Sequence, residues 1–145
     1  ALIADGVETS RQVLAEQELD VFIWVSLLIE ELTDFLWDNC PYLHEKNTKE
    51  ELYKAVQLHV QYYTIVSLID KNGICGVCRF NITNVDEAYI VDVAVRKDLR
   101  YKDILQRLLR MGLEIWTSIK QLRFYSQDNK REFVVPVNMV LKKEK

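Results

Sequence analysis

Asp92 is the residue whose type and setting come nearest to catalytic apparatus. It interrupts an apolar run, Ile90-Val91-Asp92-Val93-Ala94-Val95. A carboxylate held among aliphatic neighbours is a candidate general base, because proton transfer needs a positioned group with a tuned pKa. The competing expectation is a covered carboxylate satisfied by Arg79 or by a backbone donor. A second constellation is Cys40-x3-His44 with Cys75-x2-Cys78, four residue types that bind zinc. Cys75 and Cys78 fall in a run that reads as strand, where an odd spacing sends side chains to opposite faces. Packed core cysteines are therefore expected, and no metal is assigned. His59, beside Val56 and Val60 on an apolar helix face, reads as a packed or surface histidine. Two histidines give no Ser-His-Asp arrangement, and there is neither a Walker loop nor a GxGxxG.

The chain that must position these groups has 145 residues, 49% hydrophobic and 28% charged, with a net charge of -3. That is ordinary for one soluble domain covering 1–145, and it argues against disorder. Three cysteines, an odd number, argue against a disulfide framework and for a reducing, cytoplasmic setting. The longest apolar run, Val21 to Ile29, is too short to span a bilayer, so no membrane association is expected. Residues 1–45 carry 10 acidic side chains and one basic one, whereas 46–145 carry 12 acidic and 18 basic. The basic excess lies mostly between Arg96 and Arg131. It implies either complementary halves of one fold or an anion site in the second half. Nucleic acid is not favoured, since the pI is about 5.5 and no nucleic-acid motif is present.

Hydrophobic spacing sets the order of elements. Ala1 to Val7 reads as a short strand. Apolar residues recur at helical steps from about Ser10 to Asn39, until Pro41 stops the run. Thr48-Lys49-Glu50-Glu51 is a capping box that should open a helix running to about Val60. Tyr63 to Ile69 is β-branched and aromatic, and Asp70 to Gly73 is a turn, so Ile74 to Thr83 should return as a hairpin. Ala88 to Arg96 reads as a third strand, and Lys102 to Lys120 as an amphipathic helix. Leu122 to Ser126 and Glu132 to Lys142 read as two last strands around a turn at Asp128 to Arg131. The order is β-α-α-β-β-β-α-β-β, an α/β (α+β) arrangement.

That order resembles the GNAT superfamily of N-acetyltransferases. The run from Ala94-Val95 through Arg100 to Leu108-Leu109 can be laid without a gap on the family's strand, Arg/Gln-x-x-Gly-x-Gly/Ala turn and helix. Arg100 takes the Arg/Gln place. Asp70 to Gly76 looks like the family's hairpin, and Phe35 to Tyr42 looks like a segment of phage and bacterial GNAT-like proteins. The resemblance implies a central mixed, mostly antiparallel sheet flanked by helices.

It also implies roles. Asp92 would be the base toward an amine, and Tyr125 the acid toward the leaving thiolate, against a plain amphipathic core tyrosine. Val93, Val95, Arg100, Lys102 and Ile104 would form the set for acetyl-CoA. In that set Val93 and Val95 act through backbone groups, and Arg100 and Lys102 lie at the diphosphate. The departures are as informative. Asp103 and Leu105 stand where the family has glycines that let backbone N–H groups approach the diphosphate. Only about six residues separate Ser126 from Phe133, too few for the family's next helix. The favoured expectation is thus a GNAT-fold protein without catalysis or cofactor, a structural or interaction component. A phage virion is its natural setting. Its partner, or a second copy, would dock on the over-apolar first helix through Val21, Phe22, Trp24, Val25 and Leu28. The alternative is an acetyl-CoA-dependent N-acyltransferase with an unusual phosphate loop.

Overall fold

The structure is a computed structural model that describes residues 26–141. The expected strand at Ala1 to Val7 lies outside the described residues, as do Val21, Phe22, Trp24 and Val25. Helix α1 occupies residues 26–39 and is followed by α2, Leu43–Lys46, and α3, Lys49–Gln61. Three strands come next, β1 Ile65–Asp70, β2 Gly73–Asn84 and β3 Glu87–Val95. Helix α4, Tyr101–Ile115, leads to β4, Gln121–Ser126, then β5, Arg131–Pro136, and a short α5, Val137–Leu141.

Local chemistry explains most of these boundaries. Thr48 Oγ1 accepts from the Glu51 N–H at 3.1 Å while Glu51 Oε1 accepts from the Thr48 N–H at 2.8 Å, so the expected capping box opens α3. Gly73 sits at φ 114°, which the turn into β2 requires and a side chain resists. The α2 turn between Pro41 and Thr48 was not foreseen; four residues give no readable period. Two expected boundaries are corrected. Helix α4 stops at Ile115 rather than Lys120, because the Lys120 and Gln121 N–H groups turn to Asp86 O at 2.7 and 3.1 Å and start β4. The last strand ends at Pro136, which cannot donate to a ladder. Beyond it Val137 is buried, and α5 is tied to α4 by Gln106 Nε2 to Val140 O at 3.3 Å.

Among the described residues five strands form one sheet in the order β1-β2-β3-β4-β5. All neighbours are antiparallel except β3 and β4, which are joined by α4 and run parallel. The sheet is sandwiched. Its one face packs on α4 and α5 through Cys78, Phe80, Leu108, Leu109 and Leu113. Its other face packs on α1 and α3 through Val77, Ala94, Leu36, Leu52 and Val56. Cys75 to Phe80 is therefore an unbroken buried run, as expected for a strand covered on both faces. This is a mixed α+β fold with a mostly antiparallel sheet flanked by helices.

Candidate functional site

The site follows from how β3 and β4 part company. They are in register only at Glu87↔Gln121, Ala88↔Leu122 and Tyr89↔Arg123. The junction is clamped by Glu87, 7% exposed, which accepts from Gln121 Nε2 at 2.6 Å and from Arg123 Nε at 3.1 Å. Arg123 and Gln121 hold the Glu87 carboxyl below the usual carboxylate range. Past Tyr89 the strands diverge and enclose a cleft of about 790 Å³. That volume suits a small ligand. A bulge helps to shape the wall: Arg79 and Phe80, adjacent on β2, face Asp92 and Ile90, so Val91 is an extra residue.

Asp92 lines this cleft. Its side chain is also the partner of Arg79, whose Nε donates to Oδ1 at 3.0 Å and whose Nη2 donates to Oδ2. The two side chains are 0% and 5% exposed. Such a forked, charge-assisted pair fixes the carboxylate. Tyr125 reaches the cleft from β4 and is 43% exposed. Tyr42, Tyr89, Tyr101 and Phe124 add aromatic surface that sequence reasoning did not assign to a site. The only available signal was that Tyr42 and Tyr101 lie next to the Pro41 stop and the Arg100 turn. Burial, first, and the nearby Asp92 push the Tyr42 hydroxyl well above its ordinary range. Burial also pushes the Cys40 thiol up to about 11, against a lowering hydrogen bond with Tyr42.

The start of α4 is where a diphosphate would have to lie. Arg100 is its N-cap and makes no side-chain capping bond. Arg100 and Lys102 are exposed. Ile104 is buried at 6%, and its N–H bonds Arg100 O at 3.3 Å. Leu105 lines the cleft. Asp103 does not: it lines a separate groove beside Leu68 and Gln106. The sequence placed a negative charge at the diphosphate position; in the fold the bulk of Leu105 is what the cleft meets. Upstream, Arg96 is engaged by Asp70 and Asp98, each at 2.8 Å, and Arg96 holds the Asp70 carboxyl far below its usual range. Of the backbone set, Val93 is half-buried and in the cleft wall, and Val95 is 9% exposed.

The four metal-type residues are not assembled. Cys40 packs with the α1–α3 cluster, whereas Cys75 and Cys78 both pack with the α4 cluster, not on the opposite faces their spacing predicts, because Cys75 is the extra residue where β1 and β2 shift register. His44 stacks on Trp37 with ring centroids 3.7 Å apart, and its Nε2 lies 2.7 Å from Trp37 O. Among the described residues no group of three or more His, Cys, Asp or Glu side chains is placed to hold a metal. His59 Nδ1 lies 2.7 Å from Thr64 Oγ1, and the ring is half-buried. Burial, then the charge of Arg79, lower its pKa below the ordinary 6.5. Among the described residues no helix is long and apolar enough to cross a membrane. After β4 the chain makes a turn at 127–130 and enters β5, so no helix follows β4 along the cleft.

No protein-family model matches the chain. No curated protein matches it either. Among solved structures it is similar to the crystal structure of a putative acetyltransferase from Pyrococcus horikoshii, with a TM-score of 0.56 and 17% identity. The likeness covers 81% of this chain and 39% of that one, so the chain spans well under half of its neighbour's length. At that identity the likeness is one of architecture, and together with the splayed β3–β4 pair it shows that the fold is GNAT-like.

Proposed function

We propose that this chain is a GNAT-fold interaction or structural component that does not use acetyl-CoA. The observation that carries the reading is Leu105 in the cleft wall, on the first turns of α4. A diphosphate binds such a helix start by close approach to backbone N–H groups, and a branched side chain prevents that approach. The turn at 127–130, in place of a helix beside the cleft, supports the same reading. So does the locked Arg79–Asp92 pair. The partner, or a second copy of the chain, would use the first helix. Within its described part Leu28 is half-buried and Leu27 is 54% exposed. A phage-encoded protein, placed in the virion or the host cytoplasm, is the setting we favour. Its support is the resemblance of the Phe35 to Tyr42 segment.

The second reading is an N-acyltransferase. It is favoured by Asp92 and Tyr125 lining one cleft and by the neighbour's description as a putative acetyltransferase. Asp92 would accept a proton from the amine, Tyr125 would donate one, and Val93, Val95, Arg100, Lys102 and Ile104 would hold the cofactor. Titrating acetyl-CoA into the protein at low salt, followed by calorimetry, separates the two. No heat at millimolar acetyl-CoA is expected. Micromolar binding that is lost in Arg100→Ala would overturn the first reading and favour the second.

A further inference from the structure

We propose that a second copy of this chain docks the outer face of its α1 in the groove beside α4, so that copies associate head to tail. The inference rests on one part of the proposed function, that the first helix is an interaction surface, and adds what receives it. Its basis is the layout of charge about the sheet. Helices α1 and α3 cover one face and α4 the other. Residues 26–61, which carry α1 to α3, hold seven acids and three bases, whereas Arg96 to Lys120, which carries α4, holds seven bases and three acids. Residues 1–25 deepen the first sign, with five acids and one base. One molecule thus presents opposite signs on opposite sides, and a second copy is complementary to it.

The two surfaces also match in length and chemistry. On α1, Leu27, Glu30, Glu31, Asp34 and Asp38 are all exposed and recur at three- and four-residue steps, so they form one stripe. Lys49 bridges Asp34 at 2.7 Å and offsets one of these charges. Across the sheet, a groove of about 480 Å³ is lined by the half-buried Leu68 and Met111, by Arg107 and Arg110, and by Asp103 and Glu114. Leu27 to Asp38 and Asp103 to Glu114 each extend about 16 Å, at a rise of about 1.5 Å per residue. Leu27, 54% exposed, suits the apolar lining, and the carboxylates of Glu30 and Glu31 suit the two guanidinium groups. Arg110 Nη2 donates to Leu141 O at 3.0 Å, whereas Arg107 is exposed and is the cation a partner meets first. Exposed ion pairs are weak singly, so a contact needs several of them around an apolar residue, which this set provides. Because stripe and groove lie on opposite sides of the sheet, docking leaves one of each uncovered, and copies add in a chain or a ring.

The test is sedimentation of the full chain up to about 1 mM, at salt from about 10 mM to about 1 M, where the screening length falls from about 30 Å to about 3 Å. The mean mass should rise with concentration at low salt and shrink as salt is added. Two charge-reversed variants, Glu30→Lys with Glu31→Lys on the stripe and Arg107→Glu in the groove, should each weaken association by about tenfold or more. All three positions are exposed on helices, and Lys and Glu are both good helix formers, so the variants keep the fold, which melting curves check. Mixing the two variants should restore association, because each brings the native surface that the other lacks. A chain that stays monomeric at low salt overturns the proposal. So does association that Arg107→Glu leaves unchanged, as in a pair joined α1 to α1, and so does a mixture that fails to recover. A monomer that also ignores acetyl-CoA removes this proposal and leaves the reading of the cleft standing. Micromolar acetyl-CoA binding removes that reading, and the mixing result still decides the association.

Discussion

Asp92 shows how one side chain can suggest chemistry and be occupied by structure. Its carboxylate has both oxygens on the Arg79 guanidinium in a site closed to water. Removing one partner of such a pair strands a buried charge. Arg79→Met should therefore lower unfolding free energy by roughly 3–5 kcal/mol in urea titrations, whereas Arg79→Met with Asp92→Leu should recover most of the loss. A second prediction concerns His59. Its pKa is lowered by burial and by Arg79, so the unfolded chain binds the proton more readily than the folded one. The stability contribution is complete above the ordinary 6.5 and falls as pH drops below it. His59→Gln should flatten that part of a stability-against-pH curve. An unchanged slope would show that another group governs it.

At the scale of elements, two contacts set the geometry of the cleft. The first is the approach of α4 to β2. A Cβ on Gly76 would lie 2.6 Å from Ile104 Cγ2 and 3.2 Å from Ala94 O, and the backbone oxygen cannot yield as a side chain can. Gly76→Ala should cost about 1–3 kcal/mol by overpacking, read as a lowered denaturation midpoint. The second is the Glu87 clamp on the parallel β3–β4 pair. The Glu87 carboxyl is held below its ordinary 4.5 by Arg123, so its contribution is present above that pH and is lost on acidification. Glu87→Gln should be less stable than the parent at neutral pH, and the two should converge in acid. A constant gap in chemical denaturation across that range would show that the charge is not what holds the strands.

For the whole molecule the question is what the cleft between β3 and β4 admits. Among the described residues β4 is in register with β3 only from Glu87 to Tyr89, and Leu105 lines the cleft on the first turns of α4. Replacing Leu105 alone by glycine should raise affinity for CoA, because it restores backbone approach at the helix start. Asp103→Gly should matter less, since Asp103 lines the groove beside Leu68. Calorimetry with both variants checks the ordering, and a stronger effect from Asp103→Gly would contradict it. The Leu105→Gly helix will itself be weakened by up to about 1 kcal/mol, so its melting point must be followed alongside.

The sequence by itself determined the fold class and most of the described elements, though not α2, α5 or the ends of α4 and β5. Capping at Thr48, the turn at Asp70 to Gly73 and the period change after Val60 are local signals, written in backbone preference and side-chain spacing. It also paired Asp92 with Arg79 as one of two expectations, because an acid in an apolar strand needs a partner. What it did not contain was any effect that depends on where two distant segments meet. The end of α4 was decided by Asp86, the fate of the last strand by the packing of Val137 and Val140, and the side on which Asp103 lies by the rotation of α4 on the sheet. The cleft exists because β3 and β4 pair for three residues and then diverge, next to the Val91 bulge in the β2–β3 ladder. Periodicity says which face of a strand is apolar; only the tertiary structure says how far along it a neighbouring strand stays paired.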